Sequence, residues 1–168
     1  MALNTVTNRV YVAHSDQSGA RISVVNAADN SVSTVTIPGY VSASEMVVDE
    51  GLNKVYGLAG YNRVLVLDGA TNSYSYVTAQ YSVASLALNP VTHKVYVANY
   101  MSNSVSVIDG TSGAGVDVPV GSGPDRVAVD SAANRAYVTN YGDNTLSIID
   151  GATNTVSSIV LPPDGKPD

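Results

Sequence analysis

The sequence predicts an all-β fold, a β-propeller built from four four-stranded antiparallel blades, and three observations predict it. The strings VYVAH, VYGLA, VYVAN and AYVTN place Tyr11, Tyr56, Tyr96 and Tyr137 at spacings of 45, 40 and 41 residues. A second marker keeps the same phase: SVVNAADN, LVLDGATN, SVIDGTSG and SIIDGATN put Asn26, Asp68, Asp109 and Asp150 at spacings of 42, 41 and 41. Within each repeat the apolar residues alternate with period 2, so the repeating unit is made of strands. Four short strands in a period of about 42 residues is a propeller blade, whereas β-solenoid coils are shorter.

The fourth repeat shows each element most clearly. Val127-Ala128-Val129-Asp130 is a short strand, and Ser131 to Asn134 is a turn. Arg135 to Asn140 alternates as a second strand and Thr145 to Asp150 as a third. Gly151-Ala152-Thr153-Asn154 is turn chemistry, and Thr155 to Leu161, rich in Val, Ile, Ser and Thr, is a fourth strand. The 168 residues divide into blades at about 1–43, 44–84, 85–125 and 126–168.

Composition narrows the function classes. Hydrophobic residues make up 45% and charged residues 13%, which is a globular balance. Net charge −6 opposes sequence-independent binding to nucleic acid. With no cysteine there is no disulfide, thiolate nucleophile or zinc–sulfur site. No apolar run approaches the roughly 20 residues of a membrane helix, and no signal peptide opens the chain. Every aromatic residue is one of eleven tyrosines, a choice that suits half-exposed strands.

The strings VYVAN-Y, AYVTN-Y, V-x-V-I-D-G, I-I-D-G-A-T-N and G-S-G-P-D-R-V-A-V-D resemble the YVTN family of β-propeller repeats. The resemblance covers essentially the whole chain and is best in blades three and four. Blade one departs in a longer loop, Ala13 to Arg21, and blade two has Tyr56-Gly57-Leu58-Ala59 in place of YVAN. Both early blades lose the G-x-x-P connector, with Gly39-Tyr40-Val41-Ser42 and Gln80-Tyr81-Ser82-Val83 instead. The resemblance implies a secreted, periplasmic or cell-surface parent protein, usually with about seven blades. It carries over no catalytic residue set.

The two ends match in register. Pro167-Asp168 repeats Pro124-Asp125, and Met1-Ala2-Leu3-Asn4 repeats Val127-Ala128-Val129-Asp130, so the chain holds an integral set of four blades. An open arc leaves an apolar sheet face at each end. Two closures follow: a four-bladed ring within one chain, or two chains pairing head-to-tail into a two-fold dimer of eight blades. The absence of Phe and Trp favours the dimer, because a four-bladed ring has wide outer wedges that bulky side chains must fill. An arc cut from a larger propeller, or an engineered chain, is a third expectation.

Candidate functional residues lie where the repeat varies. Glu45, Ser85 and Arg126 fall at one equivalent position at the start of the innermost strands, where a propeller lines its channel. Glu45 could act as a general base or cation ligand and Arg126 could hold a carboxylate or phosphate; hydration of a water-filled channel is the plainer reading. The loops joining second and third strands carry His14, Tyr61, Tyr100 and Tyr141 among Asn, Ser and Gly, which suits peptide or sugar recognition as well as ordinary turns. His14 beside Ser15 and Asp16 imitates a triad, but neighbours in one loop do not meet triad geometry.

The repeated positions have structural explanations. The four repeat tyrosines read as blade packing. Arg9, Lys54, Lys94 and Arg135 read as solvated strand-entry residues or partners of turn carboxylates. Asp68, Asp109 and Asp150 read as turn closers rather than calcium ligands, since D-x-D-x-D-G is absent. With two histidines and no cysteine, no metal and no cofactor is expected.

The expectation is therefore a non-catalytic binding or scaffold module, or a repeat arc that self-assembles, with a peptide, sugar or small molecule as ligand. Glu45, Ser85, Arg126, Tyr100 and Tyr141 are its candidate ligand-binding residues. The alternative is a lyase or hydrolase at the channel mouth, using Glu45, Arg126 and His14.

Overall fold

The computed structural model describes residues 1–16, 19–38 and 45–162. The expected connector at 39–42, Gln17 of the first loop and the terminal pair at 167–168 lie outside them. Sixteen strands form four sheets of four. The first sheet contains β1 (Ala2–Asn4), β2 (Arg9–Asp16), β3 (Gly19–Asn26) and β4 (Val32–Ile37). The second contains β5 (Met46–Asp49), β6 (Lys54–Ala59), β7 (Arg63–Asp68) and β8 (Tyr74–Thr78). The third contains β9 (Val83–Asn89), β10 (Lys94–Asn99), β11 (Ser104–Asp109) and β12 (Gly115–Pro119). The fourth contains β13 (Pro124–Asp130), β14 (Arg135–Asn140), β15 (Thr145–Asp150) and β16 (Val156–Val160). Each sheet keeps its strands in sequence order and antiparallel, the layout of propeller blades.

The turns explain why the strands begin and end where they do. Asn8, Asn53, His93 and Asn134 close the link between first and second strands with φ of 52°, 50°, 56° and 51°. Asn30, Asn72 and Asn154 do the same between third and fourth strands, with φ near 59–60°. Asn is among the few side chains that visit this left-handed region readily. The carboxylates of Asp68, Asp109 and Asp150 accept backbone N–H bonds from the residues two and three places on, at 2.8–3.0 Å. The repeated Asp is thus a turn closer. Those N–H groups hold its carboxyl below the usual carboxylate range.

First strands of successive sheets lie against one another, β1 on β5, β5 on β9 and β9 on β13, so they form the hub. Three apolar clusters fill the spaces between sheets. Tyr11, Ile22 and Ile37 meet Val55, Leu65 and Leu67; Tyr56, Leu58 and Val64 meet Val95, Val97 and Ile108; Tyr96, Val105 and Val107 meet Ala136, Val138 and Ile149. No cluster among the described residues joins the fourth sheet to the first. Within the described chain the blades form an open arc.

Candidate functional site

The positions linking one blade to the next come first, because they set the candidates' surroundings. In blades one to three the basic residue that opens the second strand does not have a turn carboxylate as its main contact. It reaches into the next blade: Arg9 donates to the Gly69 carbonyl, Lys54 to Gly110 O at 2.6 Å and Lys94 to Gly151 O at 2.5 Å. In the same three blades the residue that ends the first strand meets the left-handed turn residue of the next blade. Asn4 Nδ2 donates to Asn53 Oδ1 at 3.0 Å, Asp49 Oδ2 lies 2.8 Å from His93 Nδ1, and Asn89 Nδ2 donates to Asn134 Oδ1 at 2.9 Å. Three of the repeat tyrosines are driven between the same pairs of blades: Tyr11, Tyr56 and Tyr96 are 0%, 1% and 0% exposed. Burial, with Asp49 and Asp109 nearby, pushes the Tyr56 hydroxyl up to about 12.

Glu45, Ser85 and Arg126 belong to this linking system. Glu45 precedes β5, and its Oε2 accepts the Leu86 N–H of the next blade at 2.7 Å. Ser85 is buried on β9, and its Oγ accepts the Val127 N–H at 3.4 Å. Arg126, on β13, has no acceptor to offer and reaches back instead. Its Nη1 lies 3.6 Å from Glu45 Oε1 and its Nε lies 3.9 Å from Asp125. Two of the three equivalent positions thus accept a backbone N–H of the next blade. A shallow groove of about 630 Å³ runs along the hub strands beside them, lined by Leu3, Val47, Val48, Leu86, Leu88 and Pro90 among others.

His14 lies elsewhere, on the open face of the first blade. Its Nε2 is 2.9 Å from Ser23 Oγ, and its cavity is shared with Arg21 and Thr34. It occupies the repeat position of Asn99 and Asn140, whose side chains bond Ser106 and Ser147 in the same way. Neither Glu45 nor Arg126 lines that cavity. Among the described residues no three His, Asp or Glu side chains are grouped to hold a metal ion.

Tyr100 and Tyr141 belong to a belt of loops along one end of the arc. Ser82 and Val83 donate backbone N–H bonds to Tyr61 O, and Tyr100 N donates to Ser82 O. Tyr81 N donates to Ser102 Oγ, which donates in turn to Tyr81 O. Gly123 N donates to Asn103 Oδ1, and Tyr141 N donates to Gly123 O. Blades two, three and four are thereby stitched edge to edge. Gly123 has φ +61°, and a Cβ there would stand 3.3 Å from the Tyr100 ring, so the backbone passes close to that aromatic face. The belt displays Tyr61 at 73% exposure, Tyr81 at 55%, Met101 and Tyr141. Tyr61 and Tyr81 lie stacked, with centroids 6.0 Å apart and 16° between planes. Every strongly exposed tyrosine among the described residues is on this belt. In the sequence Tyr61, Tyr100 and Tyr141 stand out in the variable loops, whereas Tyr81 reads as a connector residue; the dipeptides Gln80-Tyr81 and Gly60-Tyr61 in adjacent loops are the available signal.

The comparisons with known proteins bear on the fold. No protein-family model matches the chain and no curated protein matches it, so the YVTN resemblance rests on the repeat residues alone. Solved structures do match. Apo AztD from Citrobacter koseri superposes with a TM-score of 0.71 at 18% identity, covering 99% of this chain and 47% of that one. A second Citrobacter koseri AztD structure gives 0.70 at 18% identity, over 95% and 46%. Kuenenia stuttgartiensis hydrazine synthase gives 0.63 at 24% identity, over 71% and 35%. At such identities the likeness establishes a propeller-type arrangement of the four sheets. The chain spans about half the length, or less, of the structures it matches.

Proposed function

We propose that the protein is a non-catalytic propeller module that presents its tyrosine belt to an uncharged, extended peptide segment. One observation carries this reading: Tyr61, Tyr81 and Tyr141, with Met101, all project from a single hydrogen-bonded belt. Tyrosine supplies wide contact area at low entropic cost, and a thioether adapts to apolar side chains. The loop residues 60–62, 80–82, 100–103 and 141–144 contain no Lys or Arg, and Asp143 is their one charge. That charge is turned onto its own loops, on Ser122 N at 2.9 Å and Thr145 Oγ1 at 2.7 Å. A sugar needs several free, directed polar groups. Here Ser102, Asn103 and Asn144 are spent on holding the belt together. What is left is ring faces with hydroxyl tips, the surface that an extended proline-rich segment docks against.

The test is calorimetric titration with a synthetic, uncharged proline-rich peptide, using the wild type and Tyr61→Ala/Tyr81→Ala. Saturable binding that weakens at least tenfold in the variant supports the reading. Absence of heat with the peptide, together with binding of a neutral oligosaccharide, would replace peptide by sugar as the ligand class.

A further inference from the structure

The three joints inside the chain define what a blade face requires, and two faces lack their counterpart. On the fourth blade, Asp130, Arg135 and Tyr137 hold the positions of Asp49, Lys54 and Tyr56. Asp49 is buried and Lys54 partly so, whereas Asp130 and Arg135 are exposed. Tyr137 is half-buried, while its three equivalents are all but sealed from solvent. Leu146 and Ile148 beside it are half-buried, yet Val105 and Val107 at the same positions of blade three are 0% and 4% exposed.

The first blade offers the complementary half. Asn8 holds the position of His93 and Asn134, and Ala27 that of Gly69, Gly110 and Gly151. Both Asn8 and Ala27 are exposed, while the three glycines are buried. Val10, Val12 and Val25 are half-buried on that face, where Val95, Val97 and Ile108 of blade three are sealed. What one end lacks, the other end carries.

We infer that these faces join two copies of the chain head-to-tail, through two equal seams, into one closed propeller. In each seam Asp130 accepts from the Asn8 amide of the second copy, as Asp49 meets His93. Arg135 reaches the Ala27 carbonyl, as Lys94 reaches Gly151. Tyr137 enters the wedge over Val10, Val12 and Val25, where desolvation of apolar surface drives the contact. The curvature of the arc selects a second copy as the occupant. The whole chain superposes on just under half of a propeller-type chain, so two such arcs make about one ring.

The seam differs from the internal joints at the turn position, where Ala27 stands in place of glycine. A Cβ at Gly110 would stand 2.6 Å from the Tyr56 hydroxyl, and at Gly151 2.7 Å from that of Tyr96. Ala27 has that Cβ, so the Tyr137 hydroxyl must sit several tenths of an ångström further out. The seam is therefore the loosest of the joints.

Light scattering and sedimentation of the full chain across a dilution series provide the test. The expected mass is twice 17.3 kDa, falling toward one chain at low concentration. Asn8→Asp sets two carboxylates face to face in both seams and raises the dissociation constant on the order of a hundredfold. The double variant Asn8→Asp/Asp130→Asn exchanges donor and acceptor and restores the dimer. Asn at 130 keeps the oxygen that accepts the Ala132 and Ala133 N–H bonds, so the turn survives. Ala27→Gly lowers the dissociation constant about tenfold or more. A wild type that stays at one chain mass overturns the inference, since the faces then await further blades or another protein. So does an open series of larger masses, or a dimer indifferent to Asn8→Asp.

Discussion

Gly110→Ala tests the physics of the joints, because the cost can be worked from the structure. Gly110 is buried at the joint between blades two and three. An added Cβ would lie 2.6 Å from the His93 carbonyl oxygen, 2.6 Å from the Tyr56 hydroxyl and 3.2 Å from Leu52 Cδ1. The first obstacle cannot retreat freely, because Gly110 N donates to that same carbonyl at 2.8 Å. The second belongs to a ring that is 1% exposed and wedged in the apolar cluster. Overpacking of this kind costs about 1–3 kcal/mol. Gly110 is not among the residues with positive φ, so alanine can adopt its backbone and regains about 0.4–1 kcal/mol through the unfolded chain. The expected net loss is about 1.3 kcal/mol, or roughly 3–5 °C in Tm for a chain of this size. Urea unfolding at one fixed protein concentration is the assay, so that association does not enter the comparison. Tyr56→Phe by itself costs less than about 1 kcal/mol, since its hydroxyl bond to Gly110 O is long at 3.4 Å. In the Gly110→Ala background it returns about half of the loss, by removing one of the two hard contacts. Gly110→Ala within about 0.5 kcal/mol of the wild type would falsify the argument, as would a double variant no more stable than the single.

Three further outcomes follow from the same contacts. The Tyr56 hydroxyl titrates at about 12 in the fold against 10.0 ordinarily, so its contribution is whole below pH 10 and is lost as pH rises from there toward 12; Tyr56→Phe flattens that limb of a urea-stability profile. Asp109 is held below its ordinary 3.8 first by the Ser112 N–H and then by the Ser112 hydroxyl, so its contribution is present above that pH and is lost as pH falls through the lower folded value. Asp109→Ala removes that acid limb and costs about 1 kcal/mol or less, because the turn is exposed and screened. Asp49→Ala strands the Leu52 N–H and the His93 ring and lowers urea stability by about 2 kcal/mol, whereas Asp49→Asn retains most of the stability.

Where a residue's role is local, the sequence announces it. β14 and β15 have the bounds that alternation predicts, Arg135–Asn140 and Thr145–Asp150, because alternation and the flanking turns fix both ends. The Asp-x-x-Thr turns were legible for the same reason. For the first strand of blade four alternation predicts a start at Val127, but the strand starts at Pro124, where a register shift between Pro124 and Arg126 lets pairing continue past the proline. The lysines' reach into the next blade is not legible, because Lys54 and Gly110 are 56 residues apart and no local pattern says that a strand-entry cation reaches over its neighbour. Phase alone held that information, since the basic residue and the turn glycine recur with the same period. For Glu45 and Ser85 the shared contact is hidden by chemistry rather than by distance. A carboxylate and a hydroxyl differ in charge, but both accept a hydrogen bond, and accepting one from the next blade is their shared task.

Two of blade one's deviations from the repeat share one face. Tyr11, Ile22 and Val24, which face blade two, keep the repeat's character and are buried. His14 in place of Asn and Ala27 in place of Gly both lie on the face turned away from blade two. On the proposed closure, covalent continuity accounts for the asymmetry. At an internal joint the neighbouring blade is present at an effective concentration set by a connector of a few residues, so a tight and exacting fit forms with little penalty. At a seam between chains the same fit must also overcome the loss of translational and rotational freedom. There a glycine-only contact and a sealed amide can be relaxed while the blade still folds, because its stability comes from the joint on its other side. On the proposed closure, folding and ring formation are therefore separable. The three internal joints set the stability of the chain, and the two seams set only how often the ring is closed.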